Sequence, residues 1–216
     1  MSMPSFLADN QLGLSESFFV ATNPTPGTGI VNVDTGLDAV TATAALMTHY
    51  NSASASAGDN QWAVPIYMRL TATAVNTAGV DFRLVINLDN IQRYASGGTT
   101  LTLASTSVDT RTGYTNRTPK SVVNFGSVVA AAAGSAQQVA NAYLSPVIFA
   151  ADDSCELVWG DGATSYSATA QNVARVLPMY IGRQCTMVIH ELAKSQTASP
   201  DFEVEYGFAE LRHTRF

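Results

Sequence analysis

The sequence predicts an all-β protein: an antiparallel jelly-roll β-sandwich with an extended N-terminal arm and at most one or two short helices. Three observations carry this. Period-two alternation of apolar and polar residues recurs along the chain, Gly- and Asn-rich turn segments separate the alternating runs, and Thr and Val are abundant within them. About nine or ten short strands with so few helical stretches match a jelly roll in size.

The clearest strand is 80–89, where Val80, Phe82, Leu84, Ile86 and Leu88 share one side and Asp81, Arg83, Asn87 and Asp89 the other. A helix would scatter these sets around its axis, whereas a strand puts each on one face of a sheet. Segment 66–75 repeats the pattern, with Ile66, Met68, Leu70, Ala72 and Ala74 opposite Tyr67, Arg69, Thr71 and Thr73. Asn76-Thr77-Ala78-Gly79 links the two at hairpin distance. Near the end, Phe202, Val204, Tyr206 and Phe208 alternate with Glu203 and Glu205.

Further strands are expected at Phe18–Thr22, Gly29–Val33, Thr99–Leu103, Ser121–Val129, Val147–Ala150, Ser154–Gly160, Ala174–Ile181 and Thr186–Leu192. Ser96-Gly97-Gly98 and Gly160-Asp161-Gly162 supply the positive backbone angles of tight turns. Two segments read as weak helices. Leu37–Tyr50 places Leu37, Val40, Ala44 and Met47 at helical spacing, and Gly134–Tyr143 is the other. Neither is a strong helix, because Thr is a poor former.

Composition narrows the function. Only 13% of residues are charged, about half the usual share. Ala, Thr and Ser fill the gap with 31, 23 and 19 residues. No Lys or Arg precedes Arg69, so residues 1–68 hold five acids and no base. That stretch also contains two low-complexity spacers, 23–29 and 51–58. Residues 1–60 are therefore expected to be an arm for assembly, with the sandwich at 61–216. Deleting residues 1–35 is expected to weaken assembly while leaving the sandwich folded.

Direct nucleic-acid binding is not expected, because it needs clustered bases and here two Lys and nine Arg are scattered. No run approaches the roughly 20 apolar residues of a membrane span, and the first residues carry neither the basic start nor the apolar run of a secretory leader.

Candidate chemistry is sparse. His49, His190 and His213 lie far apart, and His190-Glu191 is followed by Lys194 where a zinc-binding helix would need its second His. No phosphate loop, nucleophile elbow or Cys-x-x-Cys occurs. The acidic loop Asp152, Asp153, Glu156 and Asp161 is the best calcium candidate, although its spacing differs from an EF-hand and a solvated turn explains it equally. Cys155 and Cys185 each alternate with apolar neighbours and read as reduced core thiols, with a disulfide between them the alternative. Trp159 shares a face with Leu157 and Cys155 and reads as core. Trp62 stands in a polar context and suits an interface or, with Trp159, a sugar-stacking platform. Asn116-Arg117-Thr118 fits the glycosylation triplet but is followed by Pro119. No catalytic, cofactor or metal residues are assigned.

The run 88–101, LDNIQRYASGGTTL, resembles a stretch in structural proteins of tailed-bacteriophage virions. The likeness extends through Val64–Leu70, Asn124-Phe125-Gly126 and Phe202–Gly207, a general pattern over about residues 20–212 without a diagnostic motif. It implies a non-enzymatic, jelly-roll decoration or cement subunit on the capsid surface, often a homotrimer, made in the host cytoplasm. Its partners would be the major capsid protein and its own copies. Nine Arg against two Lys suits contact surfaces, where Arg is enriched and Lys depleted. The alternatives are a carbohydrate-binding or receptor-binding sandwich module and the shell-forming coat protein itself.

Overall fold

The computed structural model describes residues 17–31, 40, 42–54, 61–73, 82–105, 118–129, 137–144, 152–160, 173–192 and 201–212. Thirteen strands occupy them: β1 Ser17–Thr22, β2 Ala44–Asn51, β3 Gln61–Ala72, β4 Phe82–Asp89, β5 Tyr94–Ser96, β6 Thr99–Thr100, β7 Thr102–Ser105, β8 Ser121–Val129, β9 Gln137–Leu144, β10 Ser154–Trp159, β11 Val173–Val176, β12 Thr186–Leu192 and β13 Phe202–Arg212. No helix occurs among the described residues.

The first sheet runs β11-β10-β3-β13-β1-β7, and the second β5-β8-β2-β12-β4-β9 with β6 also on β8. Successive strands β1, β2, β3 and β4 step alternately between the sheets. The second half of the chain returns beside them: β9 on β4, β10 on β3, β12 between β2 and β4, and β13 between β1 and β3. That order, β1-β13-β3-β10 facing β2-β12-β4-β9, is the double Greek key of a jelly roll, as the alternation predicts. The chain between β4 and β9 widens both sheets on one side. Leu101 marks the crossing: β6 pairs with β8 in the second sheet and β7 with β1 in the first.

Aromatic side chains fill the space between the sheets. Phe19 stacks on Phe208 at 5.5 Å, Tyr206 on Phe208 at 5.5 Å, and Trp159 meets Tyr206 edge-on at 6.0 Å. Phe125 from the second sheet meets Phe202 from the first at 6.2 Å. Each such burial stabilises by about 1.5–3 kcal/mol. Polar pins tie the sheets at one end. Glu210 Oε1 on β13 accepts from the backbone N–H of Lys120 and Ser121, where β8 begins, both at 2.8 Å. Asn51 Nδ2 donates to the carbonyls of Gln61 and Ile181.

Several expectations need correction. Leu37–Tyr50 is not a helix in its described part: β2 occupies Ala44–Asn51 with both faces buried, so Ala44 to Met47 are apolar in succession and Ala44 and Met47 mimic helical spacing. Gly134–Tyr143 likewise yields β9 in its described part. The 66–75 and 80–89 strands do not form a hairpin. β3 and β4 lie in different sheets, their neighbouring places taken by β10 and β13 on one and by β12 and β9 on the other, partners from far along the chain. β1 and β2 belong to the sandwich, so the parts of residues 1–60 that they span are structural. The spacer at 23–29 is a pinned loop: Asn23 Nδ2 donates to Thr28 O at 2.8 Å, and Asn23 Oδ1 accepts from Val204 N–H at 2.8 Å. The expected strand 29–33 contributes, in its described residues 29–31, a single bridge, Ile30 to Phe202. The strand expected at 174–181 breaks after Val176, and Ile181 bridges to Ala63. Val147–Ala150 lies outside the described residues.

Candidate interaction surface

The residues singled out for chemistry do not converge. His49 points inward from β2, its Nδ1 2.7 Å from the Tyr206 hydroxyl and its ring 4.7 Å from Phe208. Full burial among aromatics pushes its pKa down to about 3 and raises that of Tyr206. His190 alternates with the core residues Met187 and Ile189 on β12, so it sits on the opposite face of the same sheet, its Nδ1 2.6 Å from Ala44 O. His213 lies outside the described residues.

The acidic turn has a backbone role. Asp152 takes a left-handed conformation at φ 72°, which Asp tolerates better than most residues. The turn then exchanges hydrogen bonds with the end of β3, Asp152 N–H to Ala72 O and Ala72 N–H to Asp153 O. Asp161 lies outside the described residues, and among those described no three His, Cys, Asp or Glu gather as metal ligands. Both cysteines are free thiols. Cys155 is buried, as expected, and that burial raises its pKa. Cys185 is only half-buried; burial and then nearby Asp89 raise its pKa. Neither environment favours a reactive thiolate.

What the fold does expose is the outer face of the first sheet. Strand register assembles it in rows. One row reads Arg175, Val158, Tyr67, Gly207, Val20 and Ala104; the next reads Val173, Glu156, Arg69, Glu205, Thr22 and Thr102. Small residues stand beside the large ones in these rows. Tyr67 lies across Gly207, where a Cβ would fall inside its ring. The Tyr67 hydroxyl donates to Glu205 Oε1 at 2.7 Å. Burial first, then that bond and the carboxylate charge, push its pKa up to about 12. Arg69 and Glu156 approach only to 4.0 Å, across an exposed pair that contributes little by itself.

At one end of this sheet the surface turns apolar. Trp62, 36% exposed, meets Tyr180, 47% exposed, edge-on at 5.9 Å, and Leu177 beyond them is 71% exposed. The paired bridge between Ala63 and Ile181 brings Trp62 and Tyr180 together. Trp62 was readable as a contact residue, and Trp159 as core, where it is 1% exposed. That separation leaves no two-tryptophan platform. Tyr180 and Leu177 were missed, because both fell inside an expected strand; Pro178 between them was the available signal for a break.

The fold and this surface together define a filled jelly roll whose exposed features are faces and edges. Compared with known proteins, the chain matches no family model, no curated protein and no solved structure.

Proposed function

We propose that this chain is a non-enzymatic structural protein of a virion: a capsid decoration or cement subunit that self-associates and stabilises a tailed-phage head through protein–protein contacts. The observation that carries the reading is the aromatic filling of the interior, from Trp159 through Tyr206 and Phe208 to Phe19. It turns the chain's contacts outward onto the sheet faces, where a contact can bury the area that a specific interface needs. The strand order supports it, since jelly rolls of this kind build viral capsid and lectin domains. So does the resemblance of segment 88–101 to virion structural proteins. The low charge contributes too: few long side chains must be immobilised at a contact, each at about 0.5–1.5 kcal/mol.

The test is mass spectrometry of purified virions from the infection that makes this protein, with antibody labelling of the particles. The expected result is abundance comparable to the major capsid protein and label on the head. Absence from particles overturns the proposal.

The Trp62–Tyr180 pair favours one other reading, a carbohydrate-binding module, because exposed aromatic rings are the faces on which sugars stack. Glycan-array binding abolished by Trp62→Ala supports it. A silent array with unquenched tryptophan fluorescence removes it.

A further inference from the structure

The two sheets differ in what their outer faces leave open. In the middle of the second sheet the outward residues Thr48, Val188 and His190 are buried. In the first sheet the outward residues meet solvent. The Arg69 and Glu156 side chains are 49% and 31% exposed, and Val173 and Trp62 are exposed with them. The strand order β11-β10-β3-β13-β1-β7 puts the midline of this open face between β3 and β13, with three strands on either side.

Across that midline complementary residues stand in register. Arg69 of β3 is opposite Glu205 of β13, Tyr67 opposite Gly207, and Trp62 opposite Leu211. Charge is matched with opposite charge, a ring with an empty place, and apolar with apolar. A two-fold axis running along the midline, parallel to the strands, exchanges the two sides and keeps each residue at its own height. In a face-to-face pair about that axis, each residue meets in the other copy the register partner it already has in its own.

We propose that the outer face of the first sheet packs on the same face of a second copy of this chain about that axis. Charge complementarity selects the second copy. Arg69 faces Glu205 of the second copy, and symmetry makes the contact twice. Glu156 faces Thr22, Val158 faces Val20, and Arg175 faces Ala104, so these rows set no like charge against like. A two-fold across the strands does worse, since it lays the apolar end at Trp62 on the acidic end at Glu203. Area agrees. Six strands about 4.8 Å apart, the central two twelve and eleven residues long, give roughly 700 Å² of sheet plane, close to the ~800 Å² each partner buries in a standard interface. The net charge of −6 acts against association at a distance, but it is screened beyond about 8 Å at physiological ionic strength, whereas the Arg–Glu contacts are not. The inference rests on the self-association part of the proposed function and names its contact. It makes a dimer, so a homotrimer is not built from this contact alone.

The experiment is native mass spectrometry of the full chain at micromolar concentration, where a dimer is expected. Arg69→Glu and Glu205→Arg each set like charges together at both contacts and weaken the homodimer by about tenfold or more. An equimolar mixture of the two variants, one of them isotope-labelled, forms heterodimers, because each contact again joins an acid and a base. Within each variant chain the pair between β3 and β13 stays broken, so the rescue reports the contact between copies. Val122→Lys, at an exposed residue of the second sheet, leaves the dimer intact. Unchanged thermal melting shows that each variant is folded; where a charge reversal is not, Trp62→Ala must weaken the dimer in its place. A monomeric or trimeric unmodified chain, a dimer indifferent to these substitutions, or folded reversal variants that form no heterodimer overturn the inference. An unmodified chain that is monomeric in solution yet abundant on particles overturns it and leaves the virion reading standing.

Discussion

β13 and β2 are neighbours in the architecture yet opposite in how they meet solvent. β13 buries Phe202, Val204, Tyr206 and Phe208 while Glu203 and Glu205 face outward at half exposure. β2 is buried from Ala44 to His49 without interruption, Thr48 and His49 included. On its far side Ala45 packs with Val188 of β12 in a cluster separate from the main core. A strand with one wet face writes its register into the sequence, because polar residues must alternate. A strand covered on both faces carries no such signature, and its apolar residues occur at helical spacing by default. The first sheet's outer face is therefore a surface to be used, and the centre of the second sheet is interior.

Substitutions on the two kinds of face should differ accordingly, and the inner side of β13 sets the upper limit. Phe208→Ala removes a ring that touches Phe19, Tyr206 and His49. A loss of about 3–5 kcal/mol is expected in urea unfolding. A loss below 1 kcal/mol would mean that the sheets are not packed through this residue.

On the outer face of the same strand, Gly207→Ala puts a methyl group into the Tyr67 ring and should cost about 1–3 kcal/mol. Combining it with Tyr67→Ala should recover part of that loss in a double-mutant cycle. Additive effects would show that the ring does not lie where the structure has it.

His49 gives the buried side of β2 a pH dependence. Its pKa in the folded protein is lowered to about 3, against an unfolded value near 6.5. Below the unfolded value the unfolded chain binds a proton that the folded chain refuses. Stability is therefore fully present above about pH 6.5 and falls as pH drops towards 3, by up to about 1.4 kcal/mol per pH unit from this group. His49→Gln should flatten that part of the profile. A wild-type profile unchanged by the substitution would place the histidine in contact with solvent.

The smallest effect belongs to the exposed pair. Arg69→Ala or Glu156→Ala should change stability by less than about 0.5 kcal/mol. If either instead weakens self-association or particle binding, the outer face of the first sheet is itself a contact surface, and the comparison between the two faces becomes functional.

Legibility follows the same division. The strands at 121–129 and 186–192 were read with the bounds the structure has, and β4 and β13 were read from their alternation. β9 was mistaken for a helix because its Ala-rich run hides a strand with few β-branched residues. The outer-face rows were not legible, since Tyr67 and Gly207 are 140 positions apart and meet only through the β3–β13 register. Trp62 stood out as an exposed aromatic, but its partner Tyr180 is brought beside it by a single bridge.

The sequence by itself determined the class of fold: which residues line an interior, that strands of one-sided polarity must pair, and that charged groups are few. Local periodicity holds that information because every strand with a wet face must alternate. Tertiary structure alone decided which strand lies in which sheet, which faces are doubly covered, and which of the described strands end each sheet. Those depend on contacts between residues distant in the chain, and no local pattern records them. The N-terminal stretch without bases shows the difference: its composition suggested an appendage, and the pairing of β1 with β13 and of β2 with β12 makes those two strands of it part of the sandwich.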